Sequence, residues 1–281
     1  MVVTGASTGI GEACALHLAR IGFRVFAGVR KAVDGEALQR KAPEPLTPVL
    51  LDVTDASSVS LAVATVGASL GDGGLRGLVN NAGIVVVGAM EFLPLDDLRR
   101  QLEVNVVGQI AVTQAFMPHL RRARGRIVNM GSSSGRVATP FLGPYAASKF
   151  ALEALNDALR MELRPWGMHV AIVEPGPVAT PIWQKSRSAA DERAKGLPPE
   201  AERLYGTIFA LIRKAAARSE RTGCDPMVVA HAVADALTND HPRTRYLVGN
   251  DARLRAIVAK LVPNRVRDEL IRRFIGLPKR M

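Results

Sequence analysis

Short apolar runs alternate with longer amphipathic stretches along most of this 281-residue chain. Val2-Val3 precedes the helical pattern Gly9 to Arg20, and Arg24 to Ala27 starts a second strand. Val49-Leu50-Leu51-Asp52-Val53, Leu75 to Val79, Arg126 to Met130 and His169 to Val173 continue the series, with helical patterns between them. Parallel neighbours in a sheet need a crossover long enough to hold a helix. The alternation therefore predicts an α/β fold built on a doubly wound parallel sheet. The length suits one large domain, so residues 1–281 are read as a single unit.

In such sheets ligands gather at the carboxyl ends of the strands, and that is where the unusual residues fall. After the first strand come Gly5, Gly9 and Gly11, spaced G-x-x-x-G-x-G. Glycines let a turn close tightly and let backbone approach a pyrophosphate, while the next helix offers free N–H groups. The second strand ends in Ala27-Gly28-Val29-Arg30-Lys31, with no acid before Asp34. An acid there would bind a ribose 2′-hydroxyl, whereas a base accommodates a 2′-phosphate, so NADP(H) is expected in preference to NAD(H). The third strand ends at Asp52, the fourth at Asn80-Asn81-Ala82-Gly83, and the sixth at Glu174-Pro175-Gly176-Pro177, with Thr180 just beyond. A long helical pattern from Asp96 to Met117 carries Asn105 in its apolar interior. An amide there is costly unless it is hydrogen-bonded, so it is either a satisfied core group or a functional one.

The fifth strand delivers Ser132, and a helix from Tyr145 to Leu163 follows. Tyr145 and Lys149 lie one turn apart on one helix face. A nearby ammonium favours the phenolate and lowers the phenol pKa from about 10, which makes Tyr145 a candidate proton donor. From spacing alone, an exposed helix pair remains the competing reading.

Taken together, Thr4-Gly5-Ala6-Ser7-Thr8-Gly9-Ile10-Gly11, Asn80-Asn81-Ala82-Gly83, Asn105, Ser132 with Tyr145 and Lys149, and Pro175-Gly176 with Thr180 resemble the short-chain dehydrogenase/reductase family. The resemblance covers nearly the whole chain and implies a Rossmann-like, NAD(P)-dependent oxidoreductase acting on an alcohol or carbonyl. It implies that Tyr145 is the general acid/base and that Ser132 polarises the substrate oxygen. Lys149 would tune the tyrosine and bind the nicotinamide ribose, and Asn105 would hold a water of the proton relay. Gly5, Ser7, Thr8, Gly9 and Ile10 would meet the phosphates, with Arg30 at the 2′-position. Asp52 and Val53 would meet the adenine, and Asn81, Ala82 and Gly83 the adenosine ribose region. Pro175 and Gly176 would also meet the cofactor, with Val178 and Thr180 near the carboxamide. The segment Leu142 to Glu153 and the basic C-terminus look like the hydroxysteroid and retinol dehydrogenase branch, implying a bulky apolar alcohol, ketone or aldehyde. A non-catalytic NAD(P)-sensing protein on the same fold is the alternative; the presence of Tyr145, Lys149, Ser132 and Asn105 argues against it.

Residues 182–225 break the alternation and follow the Pro-Gly strand end, the natural place for a substrate lid. The formal charge of +11 is concentrated at one end. From Pro242 onward eleven basic residues face three acidic ones. Residues 251–281 form this basic extension, read as two helices parted by Pro263, the second with Val266, Leu270, Phe274 and Leu277 near one face. Such a helix either lies on an anionic membrane or partner, or packs on its own body with a solvated basic face. Nucleic acid is not expected, because no aromatic stacking platform accompanies the charge. Two distant cysteines, Cys14 and Cys224, suggest neither a disulfide framework nor a metal site. With no signal peptide and no long apolar run, the expectation is a cytoplasmic protein with peripheral membrane contact as an added option. The family resemblance adds a homodimer or homotetramer, formed through the helices that carry Asn105 and Tyr145.

Overall fold

Seven parallel strands form one sheet in the computed structural model, which describes residues 1–42 and 46–278. They are β1 (Val2–Val3), β2 (Val25–Val29), β3 (Leu46–Leu50), β4 (Gly77–Asn80), β5 (Arg126–Met130), β6 (His169–Pro175) and β7 (Arg245–Val248). Their order across the sheet is β3-β2-β1-β4-β5-β6-β7, so the winding reverses between β1 and β4. The reversal opens a crevice at the carboxyl edge between these two strands. The connecting helices are α1 (Gly9–Arg20), α2 (Ala32–Lys41), α3 (Ala56–Leu70), α4 (Leu95–Leu102), α5 (Gly108–Ala123) and α6 (Gly143–Leu163). After β6 come α7 (Ile182–Ala194), α8 (Pro199–Thr222) and α9 (Pro226–Thr238), and after β7 come α10 (Asn250–Leu261) and α11 (Asn264–Ile275).

Side chains alternate across each strand, so the sheet feeds two cores. Val3, Ala27, Val79 and Val128 face Cys14 and Leu18 of α1 and Val229 and Val233 of α9. Val2, Phe26, Leu78 and Ile127 face Val59 and Val66 of α3 and Val112, Phe116 and Leu120 of α5. Cys14 is fully buried and its thiol is pushed up to about 12, as befits a core residue. Asp55 accepts hydrogen bonds from the amides of Ser57 (2.8 Å) and Ser58 (3.3 Å) and so starts α3, a cap worth about 1 kcal/mol.

Two expectations shift. The third strand begins at Leu46 rather than Val49, with Pro48 inside it. Proline is tolerated there because β3 is the edge strand. The long helix predicted from Asp96 to Met117 runs from Leu95 to Ala123, but a π turn at Glu103–Val107 divides it. The two C-terminal helices fall where Pro263 predicts them; residues 279–281 of that extension, with Lys279 and Arg280, lie outside the described residues.

Candidate active site at the carboxyl edge of the sheet

Every site residue predicted from the sequence, from Gly5 to Thr180, lines a cavity of about 1480 Å³ at the carboxyl edge of the sheet. Its floor begins with the glycine turn between β1 and α1. Gly9 has φ +64°, a left-handed value that suits only glycine well. At Gly11 space is the constraint: a Cβ would sit 2.2 Å from the Gly5 carbonyl oxygen and 2.4 Å from Asn81 Nδ2. Asn81 holds this turn from β4, since its Nδ2 donates to the carbonyls of Thr4 (2.9 Å) and Gly5 (3.0 Å). Thr4 Oγ1 in return accepts from the amides of Asn81 and Ala82, both at 2.9 Å. The Asn81 amide nitrogen is therefore committed to the turn. Thr8 opens α1 with no side-chain cap, leaving the first amides of the helix available to an anion. Lys185 Nζ, from α7, reaches Thr8 Oγ1 at 3.3 Å, a contact with no signal in the local sequence.

Asp52 follows β3, and its Oδ1 accepts from the Thr54 amide (3.0 Å) and hydroxyl (2.7 Å). Burial works against its charge, but these bonds and the nearby Arg30 prevail and hold the carboxyl below its ordinary range. Arg30 stands exposed just beyond β2.

The reacting groups stand on the other side of the crevice. Tyr145 and Lys149 do share one face of α6, with Lys149 Nζ 5.6 Å from the phenol ring centroid. Lys149 is buried, and its ammonium donates to the Met130 carbonyl at 2.7 Å. Burial lowers its pKa to about 8, with Glu153 opposing the shift. The expected depression of the Tyr145 pKa is not found in the chain alone. Burial pushes the phenol up, and the neighbouring Ser132 hydroxyl only partly offsets this. Spacing places the lysine correctly but shows nothing of the burial that raises the phenol pKa. Ser132 Oγ also accepts from the Ser134 amide at 3.1 Å, which fixes the turn leaving β5.

Asn105 sits in the π turn with its side chain fully engaged. Its Oδ1 accepts from the Ile84 amide (2.8 Å), and its Nδ2 donates to the Ile84 carbonyl (3.1 Å) and Ser148 Oγ (3.2 Å). Gln101, one turn earlier, brackets the same loop through the Val86 amide (2.7 Å) and Ile84 carbonyl (3.0 Å). Gln109 donates to the Ala82 carbonyl at 3.2 Å. Three amides spaced four residues apart thus clamp the backbone of residues 82–86. Beneath them Asn80, Asn129 and Asn156 form a buried chain of amide hydrogen bonds at 2.9 and 3.0 Å, joining β4, β5 and α6. None of these partners is visible in sequence spacing.

The helices α7 and α8 cover the cavity. Arg193 pairs with Asp97 and donates to the Val87 carbonyl at 2.9 Å. Tyr205 donates to Glu91 Oε2 at 2.7 Å, and its ring meets Phe92, Phe141 and Phe209. Phe141 holds a left-handed φ of +67°, a strained value for a large residue. The site fits a nicotinamide dinucleotide: a glycine cradle that a Cβ would obstruct, an uncapped helix start for the pyrophosphate, and an ammonium beside a phenol across the crevice.

Residues 1–191 match the family model described as short chain dehydrogenase. The chain belongs to the short-chain dehydrogenase family. It is an NAD(P)-dependent oxidoreductase. Among similar proteins, retinol dehydrogenase 5 of Mus musculus is 39% identical over 98% of this chain and 88% of its own length. An NADPH-dependent 3-dehydrocapnine reductase of Ornithobacterium rhinotracheale is 36% identical over 96% of this chain and 94% of its own. The crystal structure of a short-chain dehydrogenase from Burkholderia cenocepacia J2315 in complex with NADP superposes with a TM-score of 0.72 at 25% identity, covering 99% of this chain and 97% of that one.

Proposed function

We propose that this oxidoreductase interconverts a secondary alcohol and a ketone, or a primary alcohol and an aldehyde, on a bulky apolar molecule. The reading rests on the apolar lining of the cavity that holds Tyr145. Val85, Val86, Phe92, Val137, Leu142 and Phe209 belong to it, a surface suited to a steroid-, retinoid- or lipid-like skeleton. The bound nicotinamide supplies or accepts the hydride. The chain's own groups handle the oxygen. In the reductive direction the Tyr145 hydroxyl gives its proton to the carbonyl oxygen while Ser132 Oγ donates a hydrogen bond to the same atom. Lys149 holds the ribose and places positive charge beside the phenolate that forms. Asn105, its side chain taken up by Ile84 and Ser148, keeps the opposite wall in register through the π turn.

The residues assigned to the cofactor are Gly5, Ser7, Thr8, Gly9 and Ile10 at the phosphates, Asp52 and Val53 at the adenine, and Pro175, Gly176, Val178 and Thr180 at the carboxamide. Arg30, with no acid at the end of β2, favours a 2′-phosphate and hence NADP(H) over NAD(H). The NADPH-dependent capnine reductase and the NADP complex of the Burkholderia enzyme point the same way.

A second copy of the chain would pack on α6, where Phe150, Leu155 and Met161 stay exposed on the monomer. That supports a homodimer or homotetramer. The extension offers Leu254, Ile257, Leu261 and Phe274, each more than half exposed, among basic residues. No helix among the described residues is long and apolar enough to cross a membrane. The extension is therefore read as a peripheral anchor on an anionic bilayer, in an otherwise cytoplasmic protein. The deciding experiment follows loss of NADPH absorbance with a panel of apolar ketones and aldehydes, with Tyr145→Phe as control. Turnover in the wild type and none in the variant supports the reading; equal turnover in both overturns it. Co-sedimentation with anionic vesicles, with and without residues 264–281, tests the anchor.

A further inference from the structure

Three of the arginines that line the cavity are half-buried: Arg187 and Arg193 on α7, and Arg255 on α10. The two on α7 are answered by carboxylates, Glu220 for Arg187 and Asp97 for Arg193. Arg255 is not. Among the described residues no carboxylate lies within salt-bridge distance of its guanidinium, and no carbonyl or side chain accepts a hydrogen bond from it. Asp251, one turn earlier on α10, is the acid that acts on it, from beyond that distance. A guanidinium cannot shed its proton to escape burial, as an ammonium can. It stays charged in the cavity wall and needs an acceptor.

The helix that carries Arg255 leaves β7 on the side of the reacting groups. A Cβ at Gly176 would lie 3.3 Å from Asp251 Cβ and 3.4 Å from the Ala252 nitrogen, and α10 packs against the turn at Ser133–Gly135. Arg255 stands one turn, about 6 Å, further along the helix. The same helix and α11 give the cavity Leu254, Val258, Leu270, Ile271 and Phe274, an apolar tract. Lys214 and Arg218 of α8 are exposed at this cavity and make no ion pair among the described residues. The anions of the cofactor belong elsewhere. Its 2′-phosphate is assigned to Arg30 after β2, four strand spacings, or about 19 Å, from β6. The glycine turn for its diphosphate follows β1, three spacings from β6.

We propose that Arg255 binds an acidic group of the substrate. The molecule oxidised or reduced here is then an anionic amphiphile, an apolar skeleton that carries the reacting oxygen together with a carboxylate, sulfonate or phosphate. The planar fork of N–H donors matches the paired oxygens of such a group, and a wall shielded from water strengthens the pairing. The apolar tract beside Arg255 takes the skeleton, and Lys214 and Arg218 draw the negative charge toward the cavity. Arg255 determines specificity and takes no part in proton or hydride transfer. The inference deepens the reading of a bulky apolar alcohol or carbonyl substrate and rests on it.

The test uses inhibitors of equal chain length against the apolar ketone or aldehyde that the wild type reduces best. Decanoate, decanesulfonate and decyl phosphate are compared with uncharged methyl decanoate, each as a competitor at saturating cofactor. In the wild type at least one anion should inhibit about tenfold more strongly than the ester, and the ranking of the three names the acidic group. In Arg255→Met that ratio should fall below about threefold. The ratio is formed within each variant, so a general loss of activity cancels. Arg255→Lys should keep part of the preference. Should Arg255→Met not fold, Arg255→Gln carries the same comparison. Equal inhibition by anions and ester in the wild type overturns the proposal. So does a preference that survives in Arg255→Met but is lost in the double variant Lys214→Met with Arg218→Met, which places the acid at the mouth. A rise in the NADPH Kd as large as the loss of preference makes Arg255 a cofactor residue and overturns it too. If no apolar ketone or aldehyde is turned over, the substrate reading beneath the proposal fails and takes the proposal with it. If ketones are turned over and the ester competes as well as the anions, only the acidic group is lost.

Discussion

The floor of the cavity and its cover are held in place by different kinds of contact. On the floor, Asn81, Asn105, Gln101 and the Asn80–Asn129–Asn156 chain fix backbone and side chains through buried hydrogen bonds of 2.7–3.2 Å. Each would leave a buried polar group unpaired if broken, at a cost of about 1–3 kcal/mol. The cover formed by α7 and α8 is attached at its rim, by Arg193 to Asp97 and Val87, by Tyr205 to Glu91, and by aromatic edges. These contacts are few, and the Tyr205–Glu91 bond is exposed, so water can replace it and it contributes little. The floor thus has the rigidity that proton and hydride transfer need, and the cover has the freedom that entry and release need.

Substitutions on the two sides should therefore fail differently. The largest effect belongs to the floor. Tyr145→Phe should lower kcat by about a thousandfold or more while changing the cofactor Kd less than threefold. Ser132→Ala should cost on the order of a hundredfold in kcat, read at saturating cofactor. At the edge of the floor, Arg30→Ala should reduce the preference for NADPH over NADH by about tenfold, the size of one charge-assisted hydrogen bond to phosphate. On the cover, Arg193→Ala should raise KM several-fold and leave kcat within about threefold. If Arg193→Ala instead lowered kcat as Ser132→Ala does, the distinction between floor and cover would fail.

A pH effect sharpens the floor side. Reduction uses the protonated phenol, and burial raises the Tyr145 pKa. Reductive turnover should therefore hold through neutral pH and decline only in the alkaline range, with the loss of the Lys149 proton near its value of about 8 contributing. The oxidative direction needs the phenolate and should gain as pH rises toward that point. The smallest effect concerns stability. His17 on α1 meets His231 on α9 with ring centroids 4.4 Å apart. Burial, then His231 and Arg20, lower the pKa of His17 in the folded chain. The unfolded chain takes up that proton first, so stability is unaffected above about pH 6.5 and falls as pH drops below it. Thermal unfolding at pH 7 and pH 5 should show this loss, reduced in His17→Gln.

What the sequence made legible follows the same division. The strand ends, the glycine turn, Asn105, Ser132, Tyr145 and Lys149 are readable because each depends on its own short segment. The partners of those residues are not. Arg136 meets Glu174 across 38 positions and Asn80 meets Asn129 across 49, and neither composition nor period encodes such pairs. Lys185 at Thr8 and Arg193 at Asp97 span 177 and 96 positions and were missed for the same reason. The upward shift of the Tyr145 pKa in the chain alone is not legible, because i, i+4 spacing shows a neighbouring charge but not the loss of water around both groups. The π turn escaped because its apolar pattern is that of an ordinary helix.

The narrow gap at Gly11 has a consequence for inheritance. Its backbone angle would accept any residue, yet the Gly5 carbonyl and the Asn81 amide leave room for a hydrogen and nothing larger. The position is closed by its neighbours rather than by its own conformation. Any coding change there would push the phosphate turn away from β4 before it touched a single reacting atom. At this codon only silent changes leave the turn as it is.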